Sequence, residues 1–141
     1  MESLHIPILL ITFNRPEHTR KVLETIMSAK PQDLYVFQDG AREGNNSDME
    51  KCSEVRRVIE TMTKNSGVRL HTLYSNTNLG CGPGPMTALN WLFSENEMGI
   101  VLEDDAVPHP DFFPYCQELL EKYKDNSDVR AIGSMNVDTQ R

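Results

Sequence analysis

Three carboxylates stand side by side at Glu103-Asp104-Asp105, directly after the apolar run Gly99-Ile100-Val101-Leu102. Adjacent carboxylates repel one another unless protons or a cation relieve them. Side chains alternate along an extended segment, so Glu103 and Asp105 are expected to share a face while Asp104 points the other way. Two carboxylates can then meet one ion. Mg²⁺ and Mn²⁺ suit such a site, because both seek oxygen and commonly combine one or two carboxylates with water and substrate phosphates. The competing reading is a solvated acidic turn, or a helix-capping cluster before Pro108.

Two further positions carry chemistry of the same kind. Asp39, in Gln38-Asp39-Gly40, could accept a hydrogen bond from a nucleobase N–H, or it could simply shape a tight turn, since Asp-Gly is a strong turn dipeptide. Arg15 follows Thr12-Phe13-Asn14 and could meet phosphate or cap the next helix. Pro16 beside it opens a helix whose N-terminus suits anions. The stretch from Asn78 to Pro85 is rich in Gly and Pro but lacks the glycine spacing, the preceding apolar strand and the later acidic residue of a dinucleotide fingerprint. It reads as a loop that closes over a ligand, or only as a turn. His5, His18, His71 and His109 show no pairing at metal-ligand spacing, so surface or capping roles are expected.

The elements that must position these residues alternate along the chain. Pro7 to Phe13 is an apolar, partly β-branched run that reads as a buried first strand. Thr19, Val22, Leu23 and Ile26 then recur at helical spacing until Lys30-Pro31. Leu34 to Phe37 is a second strand. Ser47-Asp48-Met49-Glu50 has the pattern of a capping box opening a second helix with a core face of Cys52, Val55, Ile59 and Met62. Val68 to Tyr74 is a more polar strand, expected at or near an edge. A short helix from about Met86 to Phe93, with Trp91 in the core, leads into the strand that ends at Leu102. A last helix from about Asp111 to Lys124 precedes a strand over Val129 to Gly133. This β-α alternation predicts an α/β fold, a Rossmann-like and mostly parallel sheet with helices on both faces. In such sheets ligands bind beyond the carboxyl ends of the strands, where Arg15, Asp39 and the acidic triplet all fall.

Composition limits what the site can serve. At 141 residues the chain is sized for a single domain spanning residues 1–141. A formal net charge of -7 with scattered basic residues disfavours nucleic acid, and none is expected as a partner. An acidic chain that binds a diphosphate must supply local positive charge, and a divalent cation is one way to do so. The apolar run from Ile6 to Phe13 is too short to cross a bilayer and has no basic stretch before it, so neither an anchor nor a signal peptide is expected. Cys52, Cys81 and Cys116 are odd in number and mostly on helical faces, which favours buried thiols in a reducing, cytoplasmic setting.

The chain resembles glycosyltransferases of the A-type fold, especially family 2-like enzymes and the N-acetylglucosaminyltransferase I-like group, all nucleotide-diphospho-sugar transferases. The likeness rests on the run from Pro7 to Arg15, on Phe37-Gln38-Asp39-Gly40, on Asn76-Thr77-Asn78-Leu79-Gly80, and on Gly99 to Asp105 continued by Pro110-Asp111-Phe112-Phe113. Glu103-Asp104-Asp105 looks like a version of that group's Asp-x-Asp signature. The resemblance implies that Asp39 recognises a base, usually uracil, and that Arg15 approaches the diphosphate. It also implies that Glu103 and Asp104 lie near the sugar or ribose and that Asp105 binds Mn²⁺ or Mg²⁺. Taken with the strand-end positions, Thr12, Asn14, Arg15, Asp39, Asn78, Gly80, Glu103 and Asp104 are the expected contacts to a nucleotide-diphosphate sugar, with Asp105 and Glu103 on the metal. Ala131 to Asn136 resembles the start of the acceptor-side region. The catalytic C-terminal part and its general base are therefore expected outside this chain, which should show little transfer and should self-associate through exposed sheet edges. The acceptor could be a glycan, a lipid or a protein. A sugar nucleotidyltransferase and a binding-only module are the alternatives. A phosphoryl-receiver domain fits poorly, because its acidic pair follows the first strand.

Overall fold

The computed structural model describes residues 4–132. Strands β1 (Ile8–Thr12), β2 (Asp33–Gln38), β3 (Arg69–Tyr74) and β4 (Ile100–Glu103) alternate with helices α1 (Pro16–Ser28), α2 (Asn46–Thr63), α3 (Pro83–Glu95) and α4 (Phe112–Tyr123). The strands form one sheet in the order β3-β2-β1-β4, and every pairing is parallel. The chain therefore works outward from β1 through β2 to β3, then returns across the sheet to place β4 on the other side of β1. The switch point lies between β1 and β4. The polar strand β3 lies at one edge, as its sequence predicts.

Alternation along the strands decides which helix covers which face. Ile8, Leu10, Leu34, Val36, Ile100 and Leu102 point to one side, where they are buried with Val22, Leu23 and Ile26 of α1, Val55 and Ile59 of α2, and Phe113 of α4. Leu9, Tyr35 and Phe37 point to the other side and pack on Ala88 and Leu92 of α3. Each such side chain, taken fully out of water, contributes on the order of 1.5–3 kcal/mol. The two covered faces hold the strands rigidly, and the strand exits inherit that rigidity. Trp91 is only half-buried, set edge-on against Tyr35 at 5.0 Å, where the sequence suggests core.

Three local expectations are corrected. Helix α3 starts at Pro83, not near Met86, because a proline at the first helical position loses no intrahelical hydrogen bond. Helix α2 is capped by Asn45, whose side chain accepts from the Asp48 N–H at 2.9 Å, so Ser47 and Glu50 form no capping box. The strand expected over Val129 to Gly133 does not form across Val129 to Ile132. A turn precedes them, with the Val129 N–H bonded to the Asn126 carbonyl and the Asp128 N–H to the Asn126 side chain, and Val129 to Ile132 line a groove beside Ile100 and Val101 without pairing to β4. Gly133 lies outside the described residues.

Candidate functional site

The strand exits converge because the ladder continues past each strand. The Asp39 N–H donates to the Thr12 carbonyl at 3.0 Å, the Asp104 N–H to Ile11 at 3.2 Å, and the Ser75 N–H to Gln38 at 2.9 Å. A cleft of about 310 Å³ opens above these ends, at the small end of ligand-pocket sizes. Thr12, Arg15, Asp39, Asn78, Gly80, Glu103, Asp104 and Asp105 all line it, together with Phe13, Arg42 and Cys81. Asn14 does not. Its amide turns away and donates to Asp48 at 2.8 Å. A larger groove of about 450 Å³ runs along the open edge of β4 between α3 and α4. Its walls are largely apolar, and no cluster of convergent polar side chains marks it.

Across the switch point, Arg15 reaches from the β1 exit to the carboxylate after β4. Its Nη2 lies 2.5 Å from Asp104 Oδ1 and its Nε 3.3 Å from Oδ2. Asp104 is almost fully buried, whereas Glu103 and Asp105 are exposed, so the triplet divides into one inward and two outward groups as alternation predicts. Burial pushes the Asp104 carboxyl above its usual value; Arg15 opposes that shift and neighbouring Asp105 adds to it. The pairing and the upward direction pull against each other. Burial wins, because half of the Arg15 side chain remains in water.

Asp39 is a clamp on the loop that follows β3. Its Oδ1 accepts from the Gly40 N–H at 2.8 Å and the Leu79 N–H at 2.7 Å, and its Oδ2 from the Gly80 N–H at 3.0 Å and the Asn78 amide at 3.3 Å. A carboxylate has about four acceptor positions, and all are used. A base N–H would therefore have to displace the longest of these bonds, the one to Asn78, which keeps a 2.8 Å bond to the Gly40 carbonyl. Two glycines permit the arrangement. A Cβ on Gly40 would sit 2.6 Å from the Thr77 backbone, and Gly80 has φ +86°. Thr12 closes the floor by donating its hydroxyl to the Phe37 carbonyl at 2.9 Å.

Sequence reasoning overlooked a second ion pair. Arg42 holds Asp48 through Nε at 2.6 Å and Nη2 at 2.8 Å, and its own N–H donates to the same carboxylate at 3.0 Å. With Asn14 as a fourth donor, this almost fully buried carboxylate ties the exits of β1 and β2 to the first turn of α2. The Arg42 fork holds the Asp48 carboxyl well below the ordinary carboxylate range, against the opposing effect of burial. The polar stretch around Arg42 reads as an ordinary loop, and Asp48 sits inside a misleading capping pattern; the spacing of an Asp just after a helix start was the one available hint. Cys81 is a second omission: it is exposed at the cleft, whereas Cys52 and Cys116 are buried. His71 stacks on Tyr35 at 4.2 Å beside Asp33, away from the cleft.

Among the described residues no group of three or more His, Cys, Asp or Glu side chains forms a ready metal cage. Glu103 and Asp105, both exposed at the cleft, are the carboxylates there that could take a hard divalent ion. Fold and cleft define an α/β protein with a parallel, Rossmann-like sheet and a polar cleft at the carboxyl ends of its central strands. No protein-family model matches the chain. No helix among the described residues is long and apolar enough to cross a membrane.

Proposed function

We propose that this chain is the donor-binding part of a divalent-metal-dependent glycosyltransferase of the A-type fold, taking a uridine-diphosphate sugar. The observation that carries the reading is the cleft at the switch point, where a paired Arg15–Asp104 bridge stands beside two exposed carboxylates, Glu103 and Asp105. Such a cleft repels a bare diphosphate, and a Mn²⁺ or Mg²⁺ ion shared between Asp105, Glu103 and the phosphates removes the repulsion. That ion would also act as a Lewis acid on the departing diphosphate. The chain's own residues have simpler tasks. Arg15 presents the part of its guanidinium not bound to Asp104 toward phosphate, Asp39 and the 78–80 loop define the base end, and Thr12 fixes the floor between them.

Calorimetric titration tests this directly. Uridine diphosphate should bind with Mn²⁺ or Mg²⁺ present and not in chelator, and Asp105→Asn should abolish the metal dependence while the melting temperature holds. Equal affinity with and without chelator would sink the metal assignment. A nucleotide-sugar-binding module without catalysis uses the same cleft. It is separated from the transferase by assaying sugar transfer and donor hydrolysis.

A further inference from the structure

Arg42 is the feature of the cleft that the proposed function leaves unused. It follows β2, at the end of the cleft farthest from the acidic triplet. The exits of β4, β1 and β2 are neighbours at one strand spacing each, so about 10 Å separates the β4 exit from the β2 exit. A ligand whose phosphates lie at Asp105 and Arg15 would carry its other end to Asp39 and Arg42.

The guanidinium at that end is fixed, and its orientation is set by what it has already bonded. Nε and Nη2 are turned edge-on to Asp48, at 2.6 and 2.8 Å, and Asp48 is itself held by the Asn14 amide and the Arg42 N–H. A bidentate fork of this kind locks the plane of the group. That edge is used up, while Nη1 and the outer Nη2 N–H lie outside the fork and the side chain as a whole stays 59% exposed. Besides those outer donors the group offers a flat cationic face, and Phe13 lies against it at 5.9 Å from guanidinium carbon to ring centroid. Phe13 and Arg42 come from the exits of β1 and β2, and both line the cleft with Asp39 and Gly80. A planar group lying across this end of the cleft would meet hydrogen-bonding atoms on the Asp39 and 78–80 side and a stacking surface on the Arg42 side.

We infer that Arg42, locked by Asp48, is the stacking platform for the nucleobase, so that this end of the cleft recognises a planar base by its face as well as by its edge. The inference rests on the nucleotide-binding reading above. Asp48 touches no ligand in this scheme and is a positioning residue. Arg42→Lys separates plane from charge, because lysine keeps a cation beside Asp48 but has neither the fork nor the flat face.

The test compares the purified chain with Arg42→Lys and with the double variant Arg42→Met/Asp48→Asn, which leaves no lone buried carboxylate. Melting curves establish that each is folded. Titrations in Mn²⁺ then use uridine diphosphate, uridine monophosphate and inorganic pyrophosphate. Both variants should lose roughly 3- to 30-fold in affinity for the two nucleotides, the range of a partly desolvated cation–aromatic contact. Pyrophosphate should bind them as it binds the parent. Unchanged nucleotide affinity overturns the platform. An equal loss for pyrophosphate overturns it too, by making Arg42 a phosphate ligand. A parent chain that binds none of the nucleotides overturns the proposed function along with it, whereas tight parental binding that ignores Arg42 refutes the platform alone.

Discussion

Replacing Asp39 by Asn keeps volume and shape but exchanges one acceptor oxygen for an NH₂ group, in a place where every neighbour is a donor. Two orientations are open. With the NH₂ on the Oδ1 side it faces the Gly40 and Leu79 N–H groups, and the two shortest bonds, 2.8 and 2.7 Å, are lost. With the NH₂ on the Oδ2 side it faces the Gly80 N–H and the Asn78 amide. Asn78 could flip to present its oxygen, at the expense of its 2.8 Å bond to the Gly40 carbonyl, and the Gly80 N–H would still be orphaned. The second orientation is the cheaper. It leaves one half-buried donor unsatisfied, worth about 1–3 kcal/mol, and weakens the surviving bonds by removing their charge. A total near 2–4 kcal/mol follows, within the ~5–15 kcal/mol stability of a domain this size, so the variant should fold. Urea unfolding measures the global part. Amide hydrogen exchange at Leu79 and Gly80 measures the local part, where protection should fall about 30-fold or more, the equivalent of ~2 kcal/mol. Unaltered protection at both amides would show that Asp39 does not hold the loop. Asp39→Ala should in addition cost on the order of 1–3 kcal/mol of uridine nucleotide binding if the carboxylate also reads the base; full affinity would reduce Asp39 to a former of the turn.

Arg15→Ala strands the buried Asp104 carboxylate and should destabilise by about 2 kcal/mol at neutral pH, less than the ~3–5 kcal/mol of a fully buried pair because Arg15 is half in water. Burial already holds the Asp104 carboxyl above its ordinary value, so its ionisation removes stability as pH rises through that range. The deficit should therefore shrink toward pH ~4, and urea midpoints giving a constant deficit between acid and neutral pH would contradict this. Of the three cysteines, Cys81 should react at once with a disulfide reagent while Cys52 and Cys116 lag. Burial pushes the Cys116 thiol up to about 11 and raises Cys52 as well. Uridine diphosphate with Mn²⁺ should slow the Cys81 reaction, and equal rates with and without the ligand would place binding elsewhere. Mn²⁺ should raise the affinity for uridine diphosphate, and uridine diphosphate that for Mn²⁺, in the parent and not in Asp105→Asn; equal enhancement in both chains would take Asp105 off the metal.

The strands, the helices on both faces and the edge position of β3 were legible because they rest on periodicity: Ile8, Leu10, Val36 and Leu102 repeat at two, and Val22, Leu23 and Ile26 at helical spacing. Ends were harder. Pro83 reads as a breaker, yet at the first position of α3 it is no obstacle. The strand over Val129 to Ile132 had the right residue types, but such a run becomes a strand only when a neighbour takes its hydrogen bonds, and here the first N–H goes back to Asn126 and no ladder to β4 forms. In the cleft, positions at strand exits were visible as positions, while partners were not. Nothing local marks Asp48, 34 residues from Asn14, as the acceptor that joins two exits. Nor does the Asp-Gly dipeptide disclose that Asp39 reaches 40 residues ahead to the Leu79 N–H.

Those hidden partners change how the acidity of the cleft should be understood. Counted from the sequence, Asp39, Asp48, Glu103, Asp104 and Asp105 make this end of the sheet strongly negative. In the fold, Asp48 is matched by Arg42, Asp104 by Arg15, and Asp39 by backbone and amide dipoles. The charges needed to build the rim are neutralised within the rim, each by a geometry that also fixes a loop. Glu103 and Asp105 are what is left over, exposed at the exit of the strand nearest the switch point. Two outward carboxylates hold a divalent ion weakly by themselves, and an anionic ligand alone is repelled by them. Each therefore supplies what the other lacks, and a site of this kind should fill with metal and diphosphate together rather than with either in turn.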